Sequence, residues 1–398
     1  MPSVCVVGLG YIGLPTAAVL AQAGFDVHGV DINSKAVEII NAGKIHIVEP
    51  DLLALVSEVV KNKKLVASLK PEVCDIYIIA VPTPFYHESE GGNKKPNIEY
   101  VLSATQSIAN LIKPGDLIIL ESTSPVGTTE KMADLLESLG VDINKIYLAH
   151  CPERVLPGKI LYELVHNDRI VGGINPESTE KACEFYQIFV KGEVLKTNAR
   201  TAELCKLSEN AYRDVNIAFA NELSMVCEDL KIDVWELRKL ANHHPRVNIL
   251  EPGCGVGGHC IAVDPWFIVD ASDKAKLIKT AREQNLAKTD WVINKLKLEI
   301  EKIKNLNLKN NKNNISVACL GASFKPNIDD TRESPAKIII DAMKDLGVNV
   351  LVVEPNLNFL EGYELVGLEQ ALSQADISVK LVSHREFEGV SCDIEAVG

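Results

Sequence analysis

The chain has 398 residues, 46% of them hydrophobic and 24% charged, which is enough to bury more than one core and predicts two or three domains. Its formal net charge of −13 argues against a nucleic-acid or anionic-membrane partner, because such partners need a basic surface. The 10 cysteines include no CxxC pair, so neither a zinc ribbon nor a disulfide framework is expected, and no metal site is predicted.

The N-terminal sequence does not have the pattern of a secretory signal, since no basic segment precedes the apolar residues 4–7 and Gly8 ends that stretch. No apolar run approaches the roughly 18 residues of a membrane span. Together with reduced thiols, these features predict a cytoplasmic protein.

The first elements carry the pattern of a dinucleotide site. An apolar strand at residues 4–7 is followed by a G-x-G-x-x-G run with Gly8, Gly10 and Gly13, then by a helix at 14–23 and a strand at 25–30. The first glycine permits a tight turn, the second lets backbone approach a pyrophosphate, and the third lets helix and strand pack closely. Asp31 directly follows the second strand, where it can accept hydrogen bonds from the adenosine ribose, which favours NAD over NADP.

Further apolar strands are predicted at residues 76–81, 117–120 and 146–149, with helix-like segments between them. This alternation is typical of a doubly wound parallel sheet with helices on both faces. Ligands bind beyond the carboxyl ends of such strands, so Thr83 and Thr123, in turns after two of them, are placed to contact cofactor or sugar. Both residues have an alternative role as caps of turns or helices.

A long helix without Gly or Pro is predicted from residue 201 to about residue 230. Spacings of four and three residues put Lys206, Asn210 and Arg213 on one face of it. A solvated polar face is one interpretation, and a face that binds a phosphate-bearing ligand is the other. A second long helix, at residues 276–304, leads into the polar tract 305–314, which is predicted to be a loop or linker.

After this tract the α/β pattern restarts, with strands at residues 315–320 and 348–353 around a helix at 336–346. The glycine fingerprint is absent, so we predict a second Rossmann-like domain without a second dinucleotide site. Lys325 and Arg332, in the loop after the first of these strands, can bind phosphate or close a salt bridge, and their spacing does not decide between the two.

A glycine-dense run at residues 253–258 precedes His259 and Cys260. Glycine costs entropy in a purely structural segment, so such a run is expected where backbone passes close to a ligand. A buried, inert thiol is the common alternative for a cysteine. The glycines, His259 and the predicted nicotinamide site favour a nucleophile instead.

A thiol beside a nicotinamide site predicts oxidation of an alcohol beyond the aldehyde, to an acid. Cys260 would add to the aldehyde, and loss of a second hydride would leave a thioester that water hydrolyses. Lys206 is the candidate cation that favours the thiolate. Asp264, which precedes Pro265, either caps the next helix or, like Lys206, orients or deprotonates the water.

At these residues the sequence resembles the UDP-glucose/GDP-mannose dehydrogenase family, four-electron NAD enzymes that form nucleotide-sugar uronic acids. The resemblance covers nearly the whole chain. The matching segments are residues 7–17, 46–51, 80–85, 121–127, 151–158, 214–222, 244–250, 255–267 and 324–335.

The resemblance implies two Rossmann-like, doubly wound α/β domains joined by a helical one. These are an NAD-binding domain at residues 1–198, a central dimerisation and catalytic domain at 199–304, and a C-terminal UDP-sugar-binding domain at 305–398. A homodimer or higher oligomer and a place in surface polysaccharide synthesis are also implied. Subgroup features at residues 258–264 imply UDP-N-acetyl-D-mannosamine as substrate. UDP-N-acetylglucosamine, UDP-glucose and GDP-mannose stay open as alternatives, as does a catalytically silent NAD-binding protein.

The resemblance also implies roles for single residues. Cys260 would be the nucleophile; the residues around the reacting carbon and its water would be Lys206, Asn210, Asp264, Thr123 and Glu153. The positions that match NAD contacts are Gly8, Gly10, Tyr11, Ile12, Gly13, Asp31, Lys35, Thr83, Thr123 and Arg332. Those that match substrate contacts are Arg154, Val155, Lys206, Asn210, Arg213, Gly257 and Lys325. His244 and Arg246 resemble the segment that reaches into the neighbouring subunit's site.

The chain departs from the family pattern at two places. Cys254 stands where the subgroup has proline, which adds a second thiol near the first. Residues 390–398 do not match the end of the family sequence, so the last strand of the second sheet is expected to be altered or missing, with reduced stability or weaker UDP binding.

Overall fold

A computed structural model of the protein describes residues 1–86, 94–258, 260–307 and 315–396. His259 and most of the polar tract predicted as a linker lie outside these ranges. The chain divides into two compact units, residues 1–208 and 209–398. The division into three domains at 198 and 304 stays a prediction.

The first unit is built on one sheet of mostly parallel strands. In the described part of this unit, the strands are β1 Ser3–Val7, β2 Asp26–Val30, β3 Leu65–Ser68, β4 Ile76–Ile79, β5 Leu117–Leu120, β6 Tyr147–His150, β7 Arg169–Gly173 and β8 Val194–Asn198. Their order is β3-β2-β1-β4-β5-β6-β7-β8, and every pairing is parallel except that of β6 with β7. The order reverses between β1 and β4, where ligands of doubly wound sheets bind.

Helices cover both faces of this sheet. They are α1 Gly13–Gln22, α2 Ser34–Asn41, α3 Leu52–Lys61, α4 Glu99–Ile108, α5 Thr128–Ser138, α6 Ile160–His166 and α7 Pro176–Tyr186, and α8 Ala199–Leu230 follows β8. All residues of β4 and β5 are buried, which explains why these strands are continuous apolar runs in the sequence. Two apolar clusters form the core, and each contains side chains from alternate positions of β1.

The second unit contains helices and a smaller sheet. Its helices after α8 are α9 Val234–Ala241, α10 Asp264–Ala271, α11 Lys276–Asn307, α12 Pro335–Asp345 and α13 Leu368–Gln374. Its strands are β9 Ser316–Leu320, β10 Asn349–Val353, β11 Ile377–Lys380 and β12 Ile394–Glu395. All pair in parallel, in the order β10-β9-β11-β12. The order reverses between β9 and β11.

The fold class predicted from the sequence is confirmed: both sheets are Rossmann-like, and long helices lie between them in the chain. The segment whose last strand was expected to be altered or missing forms the two-residue strand β12, paired with Val379 and Lys380. β3, β7 and β8 were not predicted. None of the described helices is long and apolar enough to span a membrane.

A buried ion pair joins α8 to α11 inside the second unit. Arg282 Nη1 donates to Asp214 Oδ1 at 2.7 Å, and both side chains are almost fully buried. Asn285 Nδ2 donates to the same carboxylate oxygen at 2.8 Å. Burial raises the pKa of Asp214 to about 6, even though Arg282 acts in the opposite direction. Removing one partner would leave the other as a buried, uncompensated charge.

We predict that Asp214→Ala lowers the free energy of unfolding by about 3–5 kcal/mol, measured by chemical denaturation. The matched control is Glu283→Ala, which removes a partly exposed carboxylate 3.9 Å from Lys279 on the same helix α11. This control should change stability by less than about 0.5 kcal/mol. Similar losses for the two variants would contradict the structural role given to the buried pair.

Candidate active site

The three glycines after β1 form a cradle, and the structure shows a steric reason for glycine at two of them. Gly8 has φ +95°, and a Cβ there would lie 2.6 Å from the carbonyl oxygen of Ala80. A Cβ at Gly13 would lie 1.8 Å from the carbonyl oxygen of Gly8. A Cβ at Gly10 would meet no described atom within 4 Å. Thus Gly8 and Gly13 are required by the turn and the close packing, while Gly10 faces open space where a pyrophosphate fits.

Asp31 lies beside this cradle at the end of β2. Its Oδ2 accepts a hydrogen bond from Leu9 N at 3.0 Å, and its Oδ1 accepts one from Asn33 N at 2.9 Å. The side chain is only half-buried, and each carboxylate oxygen can accept a further bond, as a ribose diol requires. Lys35 is exposed at the start of α2, and Tyr11 is exposed in the glycine turn. The residues present therefore fit a dinucleotide.

The loops after β4 and β5 are tied to each other and to α8. Thr83 Oγ1 donates to the carbonyl oxygen of Thr123 at 2.6 Å. Glu203, on α8, accepts from Gly127 N at 2.6 Å and from Thr129 N at 2.8 Å, and also from the Thr129 hydroxyl at 2.6 Å. Its carboxylate lies at the N-terminus of α5, where a negative charge is stabilising. The loop that carries Thr123 is thus held in one conformation.

Glu153 follows β6 in a buried polar network. Its Oε2 accepts from Arg169 Nη1 at 2.7 Å and its Oε1 from Arg154 N at 2.7 Å, and Glu153 is 7% exposed. Nearby, Tyr186 donates to Glu121 at 2.8 Å. Burial raises the pKa of Glu121 to about 7. The network therefore contains the Glu153 carboxylate, paired with the buried guanidinium of Arg169, and a second carboxyl, that of Glu121, with a pKa near neutral pH.

The segment that follows Glu153 is fixed by another acid. Glu49 accepts from Gly158 N and from Ile160 N, both at 2.8 Å, at the start of α6. Val155 is partly buried against the core of the first unit. This positions the loop that carries the predicted substrate residues Arg154 and Val155.

Cys260 is exposed in the turn that precedes α10. Its carbonyl oxygen accepts from Val263 N at 3.0 Å and from Asp264 N at 2.8 Å. Asp264 is 4% exposed, and its Oδ2 accepts from Asn210 Nδ2 at 2.6 Å. The alternative in which Asp264 only caps the helix is wrong, because α10 begins at Asp264 itself and the N-cap residue is Val263. The carboxylate is oriented by Asn210 instead.

The glycine run before Cys260 packs against protein. A Cβ at Gly257 would lie 2.3 Å from the carbonyl oxygen of Glu333, and one at Gly258 would lie 3.0 Å from the ring of Phe324. Gly258 N donates to the carbonyl oxygen of Arg332 at 3.2 Å. These glycines therefore allow two segments of the second unit to pack closely. The expectation that the run also passes close to a ligand stays a prediction.

The second thiol in this run differs from the first. Cys254 is buried, and burial raises its pKa to about 12. Its carbonyl oxygen accepts from Thr289 Oγ1 at 2.9 Å. Cys254 is therefore a packing residue, with very little thiolate at neutral pH.

The other predicted residues lie in varied surroundings. On α8, Lys206 and Asn210 are half-buried and Arg213 is exposed, so the solvated-face interpretation is wrong for Asn210, which binds Asp264.

In the loop after β9, Arg332 forms a salt bridge with Asp330 at 2.6 Å, whereas Lys325 is exposed. His244 and Arg246 are exposed in the turn after α9, and no group of metal-ligating side chains occurs in the described ranges.

Sequence analysis missed the residues that hold the loops. Glu203, Arg169, Glu49 and Glu121 are all buried, and each is bonded to a partner far away in the chain. One local signal was present: Glu121 directly follows the apolar strand β5, as Asp31 follows β2. Arg169 had no such signal, because it lies on β7, which was not predicted.

Comparison with protein families finds three matching domains in succession. Residues 2–190 match the NAD binding domain of the UDP-glucose/GDP-mannose dehydrogenase family, residues 200–287 match its central domain, and residues 318–397 match its UDP binding domain.

Individual relatives match along almost the whole chain. A UDP-N-acetyl-D-mannosamine dehydrogenase from Campylobacter jejuni is 54% identical over 98% of this chain and 97% of that protein. An NDP-N-acetyl-D-galactosaminuronic acid dehydrogenase from Ralstonia nicotianae is 53% identical over 98% of this chain and 93% of that protein. A solved UDP-D-ManNAc dehydrogenase from Pyrococcus horikoshii has a TM-score of 0.87 at 39% identity, covering 98% of this chain and 91% of that one.

The glycine cradle makes a prediction that separates binding from folding. Gly10→Ala should leave the melting temperature unchanged and weaken NAD affinity about tenfold or more, because the new methyl group enters only the open space of the cradle. Gly13→Ala should destabilise the first unit by more than about 2 kcal/mol, since its Cβ would collide with backbone. Calorimetry of NAD binding and thermal melting measure both effects. Unchanged NAD affinity in Gly10→Ala would place the pyrophosphate elsewhere.

Proposed function

The chain belongs to the UDP-glucose/GDP-mannose dehydrogenase family of NAD-dependent oxidoreductases, and we propose that it oxidises the C6 alcohol of UDP-N-acetyl-D-mannosamine to a carboxylate. The product is UDP-N-acetyl-D-mannosaminuronate. The observation that carries this proposal is an exposed thiol, Cys260, one helical turn before a buried carboxylate that Asn210 orients. An enzyme that only oxidises an alcohol to a carbonyl compound does not require a nucleophilic thiol.

The reaction consists of two two-electron oxidations with a covalent stage between them. Two NAD molecules in succession would each accept one hydride, and the residues that would hold the pyrophosphate and the ribose are those of the glycine cradle and Asp31. The alcohol first loses a hydride and a proton to become an aldehyde. The Cys260 thiolate then adds to the aldehyde carbon, and the oxyanion takes up a proton to give a thiohemiacetal.

The thiohemiacetal carries the hydrogen that a bare aldehyde cannot give up as readily. Loss of this hydrogen as a hydride, together with the hydroxyl proton, leaves a thioester on Cys260. Water adds to the thioester carbonyl, the C–S bond breaks, and the sulfur leaves as a thiolate. The products are the free carboxylate and the regenerated nucleophile.

We assign the surrounding residues by their chemistry and by the family pattern. Lys206 and Asn210 stabilise the alkoxide and oxyanion, and Asp264 or Lys206 orients or deprotonates the hydrolytic water. Thr123 and Glu153 position water. The buried Arg169, 2.7 Å from Glu153, supports this assignment, because the ion pair holds the Glu153 side chain in one orientation.

The match to a UDP binding domain at residues 318–397 supports a UDP-sugar as substrate. Lys325, exposed in the loop after β9, is assigned to the diphosphate; Arg154, Val155, Arg213 and Gly257 are assigned to the rest of the substrate. A nucleophilic thiol must stay reduced, which fits the cytoplasm as compartment.

A homodimer is the proposed assembly, with His244 and Arg246 reaching into the partner's site. The support is an apolar stripe on α8 formed by Tyr212, Phe219, Val226 and Leu230, which are 73%, 57%, 43% and 63% exposed. These positions recur at intervals of seven, seven and four residues, which is the spacing of a helix–helix seam. An unpaired stripe of this kind is unfavourable in water.

We predict that Phe219→Glu converts the dimer to a monomer, because it places a charge in the apolar stripe. Light scattering coupled to size-exclusion chromatography measures the mass. Tyr162→Glu, at a 64% exposed aromatic residue in the first unit, is the matched control and should leave the mass unchanged. A wild-type chain that is already monomeric would contradict the proposed assembly.

The decisive prediction for the chemistry is the stoichiometry: two NADH form for each sugar oxidised. Cys260→Ser should lower kcat by roughly a thousandfold or more, with at most a partly oxidised sugar as product, because the thioester route is lost. NADH absorbance and mass spectrometry of the sugar give both results.

Cys254→Ser is the matched control, since that thiol is buried and has a pKa of about 12, and it should retain most of the activity. One NADH per sugar would contradict the four-electron mechanism. The same assay on UDP-N-acetylglucosamine, UDP-glucose, GDP-mannose and a UDP-N-acetyl-galactosamine sugar tests the substrate. Higher kcat/KM on any of these than on UDP-N-acetyl-D-mannosamine would replace the proposed sugar.

A further inference from the structure

The second sheet repeats one feature of the first. Asp31 follows β2 and accepts from Leu9 N in the loop after β1. Glu354 follows β10 and accepts from Ala322 N at 2.7 Å and Ser323 N at 3.1 Å, in the loop after β9. The two acids therefore occupy equivalent places beside the carboxyl ends of their sheets.

The two acids differ in how much hydrogen-bond acceptor capacity they leave for a ligand. Glu354 is 4% exposed, and its Oε1 accepts from Asn356 N at 3.0 Å and from Asn356 Nδ2 at 3.3 Å. Its Oε2 also accepts from His384 Nε2 at 3.0 Å. Burial raises the pKa of Glu354, but hydrogen bonds from His384, Ala322 and Asn356 outweigh it and lower this pKa to about 2. The ionised acid is thus used by the protein itself, and it has no capacity left for a ribose diol.

His384 links this acid to the loop that carries Lys325. The buried imidazole accepts on Nδ1 from Asn327 N at 2.9 Å and from Asn356 Nδ2 at 2.9 Å. A ring nitrogen that accepts two N–H donors carries no proton, so the proton is on Nε2 and is donated to Glu354. The imidazole is thereby held in one orientation, with hydrogen bonds at both ring nitrogens.

Both sides of Lys325 are fixed by these contacts. Ser323 Oγ donates to the Lys325 carbonyl oxygen at 2.9 Å. On the other side, Asn327 has φ +60°, and its Oδ1 accepts from Arg385 N at 3.0 Å. The exposed lysine therefore stands on a backbone segment whose neighbours on both sides are bonded to the sheet's carboxyl edge.

We propose that His384, through Glu354 and Asn327, is a positioning residue for the nucleotide diphosphate. The inference rests on the proposed function, in which Lys325 binds the diphosphate of the UDP-sugar. Holding the lysine's backbone before binding removes part of the ordering cost that a mobile loop would incur on binding. The same contacts also occupy the acceptor sites of Glu354, which in a dinucleotide site would be available to the ribose. This sheet is therefore suited to a nucleoside diphosphate and not to a dinucleotide.

Two substitutions test separately the hydrogen bond that His384 forms with Glu354 and the one that it forms with Asn327 N. His384→Gln can reach Glu354 with its amide N–H but leaves Asn327 N without its acceptor. His384→Asn places an amide oxygen near the position of Nδ1 and can still accept from Asn327 N. UDP affinity is measured by calorimetry, together with NAD affinity, KM for the UDP-sugar, kcat and melting temperature.

His384→Gln should raise the Kd for UDP and the KM for the UDP-sugar about tenfold, while kcat and NAD affinity stay within about twofold. His384→Asn should stay within about threefold of the wild type in UDP affinity. Lys325→Ala should weaken UDP binding about tenfold or more in an otherwise unchanged protein.

The outcomes distinguish the inference from the function on which it rests. If Lys325→Ala leaves UDP affinity unchanged, the proposed diphosphate site is wrong. If Lys325→Ala weakens UDP binding but His384→Gln does not, the positioning role is wrong and the function stands. If both histidine variants lose melting temperature and UDP affinity to the same extent, His384 only supports the fold, and the inference is overturned.

Discussion

The conformation of the loops in this protein depends on carboxylates that accept hydrogen bonds from the loops' backbone N–H groups. Where a strand ends, the following loop leaves N–H groups without ladder partners, and each needs an acceptor. Asp31, Glu49, Glu203 and Glu354 supply that acceptor at four places, three of them with two or more hydrogen bonds to neighbouring loop residues. Hydrogen bonds to a charged group are roughly twice as strong as neutral ones, so each loop has one preferred conformation.

The same arrangement has different consequences in the two sheets. Asp31 is half-buried and keeps acceptor capacity toward solvent, as a cofactor-binding acid needs. Glu354 is nearly fully buried and is saturated by His384 and Asn356. Related folds thus leave a hydrogen-bonding acid partly accessible in one case, and a bonded loop with an exposed lysine in the other. The family description agrees, with an NAD binding domain in the first case and a UDP binding domain in the second.

The glycines that precede the candidate nucleophile are closely packed as well. Gly257 and Gly258 lie against Glu333 and the ring of Phe324, where a side chain on either glycine would collide with its neighbour. Cys260 follows this packed pair by two residues, and Lys325 follows Phe324 directly in the sequence. Within the second unit, the glycines that precede the candidate nucleophile are thus packed against the residue that precedes the candidate diphosphate ligand.

The sequence by itself determined the features that depend on single residues or on short periodic patterns. Gly8 and Gly13 were predictable, because a positive φ or a contact with backbone is a condition that only glycine meets. The strands β1, β2, β4, β5 and β9 and both long helices were predictable because burial on one or both faces leaves a regular apolar pattern. The exposed β8 left no such pattern and was missed.

Only the tertiary structure decided which polar residues act together. Glu203 binds Gly127, 76 residues away, and Glu354 binds His384, 30 residues away. The state of a buried group such as Glu121 or Cys254 depends on the neighbours that replace water around it, and those neighbours come from other strands and helices. Hydrogen bonding and desolvation depend on residues that are brought together only in the folded protein. A sequence pattern can therefore identify Cys260 as a candidate nucleophile, but it cannot identify the residues that hold its loop.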